Sequence, residues 1–101
     1  MTLPKSVRIC GIDHKITLMK HCNPDNLKQV GVCMYLQSEI KLSTHWEDGQ
    51  KLSDDYLLNT LLHEVLHAIE SRFDMEFKEK QIELLSNGLF AFLKDNPGVF
   101  K

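Results

Sequence analysis

Residues 53–72 read SDDYLLNTLLHEVLHAIESR, from Ser53 to Arg72, and this stretch changes the period of the chain. Leu57, Leu58, Leu61, Leu62, Val65, Leu66 and Ile69 recur at helical spacing. Ser53 can cap the helix, and Asp54 and Asp55 fall in the first turn, where the dipole favours negative charge. The helix is expected to run to about Arg72.

Upstream the pattern suits strands. Val7, Ile9, Ile12, Ile16 and Leu18 suggest two short strands broken at Cys10-Gly11. His21 to Asn26, with Pro24 inside, reads as a connection, and Leu27 to Val30 as a single helical turn. Val32, Met34 and Leu36 alternate with Cys33, Tyr35 and Gln37; Ile40, Leu42 and Thr44 alternate with Lys41 and Ser43. The polar partners of this last strand suggest an edge or a cleft wall. His45 to Lys51 reads as a loop. Downstream, Phe73 to Phe77 forms a break, and Ile82, Leu85, Leu89, Phe92 and Leu93 mark one side of a second helix. It should stop before Asn96-Pro97-Gly98. Two such helices pack antiparallel. The expected fold is α+β: a small, mostly antiparallel N-terminal sheet followed by two packed helices. It forms one domain over residues 1–101, with a strand-rich half at 1–52 and a two-helix half at 53–96.

Composition narrows the function classes. The chain has 101 residues, 43% hydrophobic and 26% charged, with a net charge of -2, so no basic field points to nucleic acid or anionic lipid. No run approaches the roughly 18 apolar residues of a membrane span, and the N-terminal residues lack the apolar core of a signal peptide. Cys10, Cys22 and Cys33 include no C-x-x-C pair and are odd in number, which suits a reduced, cytoplasmic protein with each cysteine as a small buried hydrophobe. The spacings of Cys10, His14, His21 and Cys22 match no common zinc site. His14 and His21 read as surface or core residues, Trp46 and Phe73 as core or loop anchors, and Gly98 to Lys101 as a frayed end.

The chemistry lies in His63-Glu64-Val65-Leu66-His67. Residues i and i+4 share a helix face, so both imidazoles can reach one metal ion. Glu64 projects beside them, rotated by about 100° from His63. On the helical wheel the leucines fill one arc and the histidines lie opposite, toward a cleft. A tetrahedral zinc then needs one more protein ligand plus water. The H-E-x-x-H-x-x-G-x-x-H pattern fails, because Glu70 and Phe73 occupy its last two defining positions. Glu70, Glu76, Glu79 and Glu83 are the other acids within reach; Glu70, on the same helix, is the least suited to face the metal from across a cleft.

The run His63 to His67 followed by Glu83-Leu84-Leu85-Ser86-Asn87 resembles the gluzincin pattern of thermolysin-like and ImmA/IrrE-like peptidases and of small zinc-peptidase-like phage proteins. The resemblance covers residues 56–97. It implies that His63, His67 and Glu83 hold Zn2+, that Asn87 supports a ligand histidine through its other ring N–H, and that Glu64 is the general base. Glu79 is a rival ligand that lies nearer the apolar face, but the E-x-x-x-N spacing fits Glu83. The interval from His67 to Glu83 is short, and Asn87 stands where an Asp is commoner. The resemblance further implies a phage-type metallopeptidase acting on a peptide or protein, with Ile40 to Thr44 lining the cleft. His45, Tyr35 and Tyr56 are candidate oxyanion donors, because each can donate a hydrogen bond. The competing reading is a zinc-stapled structural or interaction module that cleaves nothing; retention of Glu64 favours the enzyme. A weaker third reading is a metal-free binding domain. The sequence sets neither substrate nor oligomeric state.

Overall fold

The structure, a computed structural model, describes residues 3–99. The outermost residues of both termini, including the end of the expected frayed segment, lie outside that range. Strands β1 (Ser6–Ile9) and β2 (Ile12–Met19) form an antiparallel hairpin in which Ile9 pairs with Ile12. Its two-residue turn has φ of 50° at Cys10 and 82° at Gly11. Both are positive, as a tight hairpin turn matching strand twist requires. Cys10 therefore sits exposed at the tip and is not the buried hydrophobe expected; Cys22 and Cys33 are half-buried.

Strand β3 (Gly31–Met34) pairs antiparallel with β4 (Glu39–Ser43), and β4 pairs parallel with β2, giving the order β1-β2-β4-β3. Two of the three pairings are antiparallel, so the sheet is mostly antiparallel. The strand expected at an edge or cleft wall, Ile40–Thr44, is instead internal; β1 and β3 are the edges, and β3 rather than β4 walls the cleft. The polar alternation misleads there because Ser43 is satisfied inside the fold. Its hydroxyl accepts from the Cys22 N–H at 2.8 Å and donates to the Gln29 carbonyl at 3.3 Å. The expected helical turn at Leu27–Val30 is replaced by successive reverse turns. The side chains of Asn23 and Asn26 accept from the N–H groups of Asp25 and Lys28, a local alternative to helix.

Helix α1 (Asp54–Arg72) begins as expected: the Ser53 hydroxyl accepts from the Tyr56 N–H at 3.1 Å. At its end Asp74 adopts φ 57°, and the Met75 N–H donates to the Glu70 carbonyl at 2.9 Å. This is a Schellman closure with Asp in the glycine position, which explains a break that neither glycine nor proline marks. Helix α2 (Glu79–Asp95) starts with the reciprocal half of a capping box, in which the Lys78 N–H donates to Gln81 Oε1 at 2.9 Å. It stops before Pro97.

The helices run antiparallel: Asp55 pairs with Lys94, Asn59 with Asn87, and His67 with Glu79. Ile9, Ile16, Ile40, Leu42, Leu52, Leu57, Leu61 and Ala68 form the core between sheet and α1. Each fully buried leucine or isoleucine there contributes roughly 1.5–3 kcal/mol relative to exposure. Among the described residues α2 packs on α1 and on no strand. Ile82 and Ser86 are buried against α1, while Leu85, Leu89 and Phe92 remain exposed.

Candidate metal centre

The i, i+4 spacing places the His63 and His67 rings side by side, with centroids 4.9 Å apart. The tight connection after α1 brings the first residue of α2 level with them. Glu79 Oε1 lies 2.5 Å from His63 Nε2, and Glu79 Oε2 lies 3.0 Å from His67 Nε2. All three groups offer donor atoms within 4.8 Å of one another. Two imidazole nitrogens and one carboxylate are an ordinary zinc donor set, whose tetrahedral edges measure roughly 3.4 Å for bonds near 2.1 Å. In donor type and proximity the residues present fit that metal, and the 2.5 and 3.0 Å contacts would widen toward that edge on binding.

The acid beside the imidazole pair is Glu79, not the expected Glu83. Glu83 stands one turn further along α2, lines the same cleft and faces Lys80 Nζ at 3.9 Å. Connection length decides the difference. With only six residues between the helices, it is the first turn of α2 that meets the last turns of α1.

Asn87 also differs from expectation. It accepts from Asn59 Nδ2 at 2.8 Å and supports neither histidine. His67 is instead supported by Glu70, whose Oε1 accepts from Nδ1–H at 3.2 Å while Oε2 accepts from the Phe77 N–H at 2.5 Å. The Phe77 N–H first, and His67 second, hold the Glu70 carboxyl below its ordinary range. The i, i+3 spacing of His67 and Glu70 was the available signal for this contact. Donation of Nδ1–H to Glu70 leaves the Nε2 lone pair of a neutral ring facing Glu79. That juxtaposition of a lone pair and an anion is relieved by a cation held between them.

Glu64 is 6% exposed, beneath the start of β3. Burial pushes its carboxyl up, against the opposing pull of His63 and His67, and the Cys33 backbone N–H hydrogen-bonds to it. Gly31 makes this approach possible: a Cβ there would lie 2.8 Å from Thr60 Cγ2 and 3.1 Å from Glu64 Oε2. The cleft, about 810 Å3, lies between β3, α1 and α2. Tyr35 and Tyr56 line it, and Tyr56 is braced by Trp46 in an edge contact at 4.6 Å between centroids. His45 lies outside the lining and bonds Thr44 Oγ1 at 2.7 Å. His14 is buried, with Nδ1 at 2.9 Å from the Ile12 carbonyl. Among the described residues no helix is long and apolar enough to cross a membrane. Comparison with protein families, with curated proteins and with solved structures returns no match for this chain.

Proposed function

We propose that the protein is a minimal zinc-dependent peptidase of the cytoplasm, with His63, His67 and Glu79 holding the metal and Glu64 acting as general base. The observation that carries this reading is the convergence of both Nε2 atoms on one carboxylate, with Glu64 beside them. When bound, zinc supplies acidification of water and polarisation of a carbonyl. Glu64 takes a proton at its carboxylate and passes it to the leaving amine. Its buried setting, with the Cys33 N–H fixing the carboxylate, keeps that proton inside the cleft. Glu70 holds the His67 ring in one orientation and one tautomer. Tyr35 and Tyr56 are the cleft's candidate hydroxyl donors to a developing oxyanion.

One observation favours the second reading, a zinc-stapled module that cleaves nothing: the small exposure of Glu64 beneath β3. The experiment that separates them is metal analysis together with cleavage of unstructured protein substrates. The peptidase reading expects about one zinc per chain, lost in His67→Ala. Glu64→Gln should keep zinc and lose cleavage. A wild-type protein that holds zinc and cleaves nothing supports the stapled module, and one that holds no zinc overturns both.

A further inference from the structure

The outward face of α2 is apolar on both sides of Gly88 and polar at its two ends. Taking Gly88 as centre, Leu85 and Ala91 lie three residues away on either side, Leu84 and Phe92 four, and Gln81 and Asp95 seven. At about 100° per residue these seven positions share one arc roughly 120° wide, turned away from the cleft face that carries Glu79, Glu83 and Asn87. Among the described residues this face stays exposed, with Leu84 57%, Leu85 43% and Phe92 46% accessible. Gly88 has nothing within 4 Å of where a Cβ would stand. A glycine inside a helix costs about 1 kcal/mol relative to alanine, and no contact within the chain requires this one.

We propose that this face is the homodimer interface of the protein, with α2 and its symmetry mate crossing antiparallel at Gly88. A two-fold axis through Gly88 seats Leu84 against Phe92 of the partner subunit and Leu85 against Ala91 of the partner subunit, so one stripe is complementary to itself. The missing side chain at the centre lets the two backbones approach closely. The ends select the direction. Gln81 Oε1 is occupied by the Lys78 N–H, which leaves the amide nitrogen to donate outward. Antiparallel crossing sets that donor, the flanking Lys78 and Lys80, and the positive end of the helix dipole against Asp95 of the partner subunit. Parallel crossing would set the two Asp95 carboxylates together. The interface leaves the metal centre open and does not depend on it.

Sedimentation equilibrium at concentrations on the order of 10–500 µM tests the proposal. Wild type should approach twice the 11.7 kDa chain mass. Gly88→Arg should stay monomeric throughout without a lower melting temperature, since open space surrounds that position within the chain. Gln81→Glu keeps the capping oxygen but opposes Asp95 of the partner subunit, and should weaken association roughly tenfold. The double variant Gln81→Glu/Asp95→Lys should restore it. A wild type that is monomeric at every concentration overturns the dimer, as does a Gly88→Arg variant that associates normally. Failure of the charge-reversed double variant to recover overturns the antiparallel crossing.

Discussion

Glu70 and Glu79 hold opposite nitrogens of the same ring, and the difference between them is testable. Glu79 supplies an oxygen to the donor cluster, so Glu79→Ala should weaken zinc binding by at least about a hundredfold. Glu70 only orients His67, and Glu70→Gln should weaken it by roughly 10–100-fold. Glu83→Ala should change it less than either. Competitive titration with a chromogenic chelator ranks the three. A ranking with Glu83 first would return the third ligand to the position the E-x-x-x-N spacing indicates. Gly31 makes a separate residue-scale claim. Gly31→Ala should cost about 1–3 kcal/mol through overpacking against Thr60 and Glu64, read as a lower denaturation midpoint with unchanged slope. Cys33 makes a third. Burial first, and the charge of Glu64 second, push its thiol from 9.0 up to about 11. Thiolate is the reactive form, so alkylation of Cys33 at pH 8 should run roughly a hundredfold below an unshifted thiol. It should accelerate as pH climbs toward 11, with exposed Cys10 labelled first throughout. The sign for stability follows the same shift. Burial disfavours the thiolate, so the folded state loses stability relative to the unfolded chain as pH rises through 9 to 11.

At the scale of elements, the parts legible in the sequence were those specified by local chemistry. Ser53, Asp54 and Asp55 place the start of α1, Asn96-Pro97 places the end of α2, and Cys10-Gly11 places the hairpin. What local pattern could not supply was pairing. Ser43 looks solvent-facing until the Cys22 and Gln29 partners brought by a distant loop are known. Glu79 is only the rival of Glu83 until the Schellman closure at Asp74 fixes where α2 begins relative to His67. His63, Glu64 and His67 were legible because one helix carries all three. The third ligand and the histidine support depend on how two elements meet, and those are the site positions where structure and spacing differ. The closure itself gives an element-scale prediction. Asp74 occupies a left-handed conformation that glycine adopts at no steric cost. Asp74→Gly should therefore raise stability by about 0.5–1 kcal/mol, a rise of several degrees in melting temperature, with zinc affinity unchanged.

The whole molecule is small enough that a metal held at the candidate centre would bear on folding. A domain of this size buries only about 60–65% of the surface its unfolded chain exposes. Among the described residues α2 packs on α1 and on none of the strands. The His63–His67–Glu79 cluster lies between α1 and the first residue of α2. A ligand that binds the folded state and not the unfolded chain stabilises it by RT ln(1 + [L]/Kd), or about 2.7 kcal/mol at a hundredfold excess over Kd. At roughly 4–8 °C per kcal/mol for a domain of this length, zinc-loaded protein should melt about 10–20 °C above chelator-treated protein. His67→Ala should melt at one temperature with or without zinc. Amide hydrogen exchange of the metal-free protein should show α2 losing protection before α1, because α1 keeps its contact with the sheet and α2 packs on no strand. Identical melting curves for the loaded and stripped wild type would show that the cluster joins the helices geometrically without stabilising them.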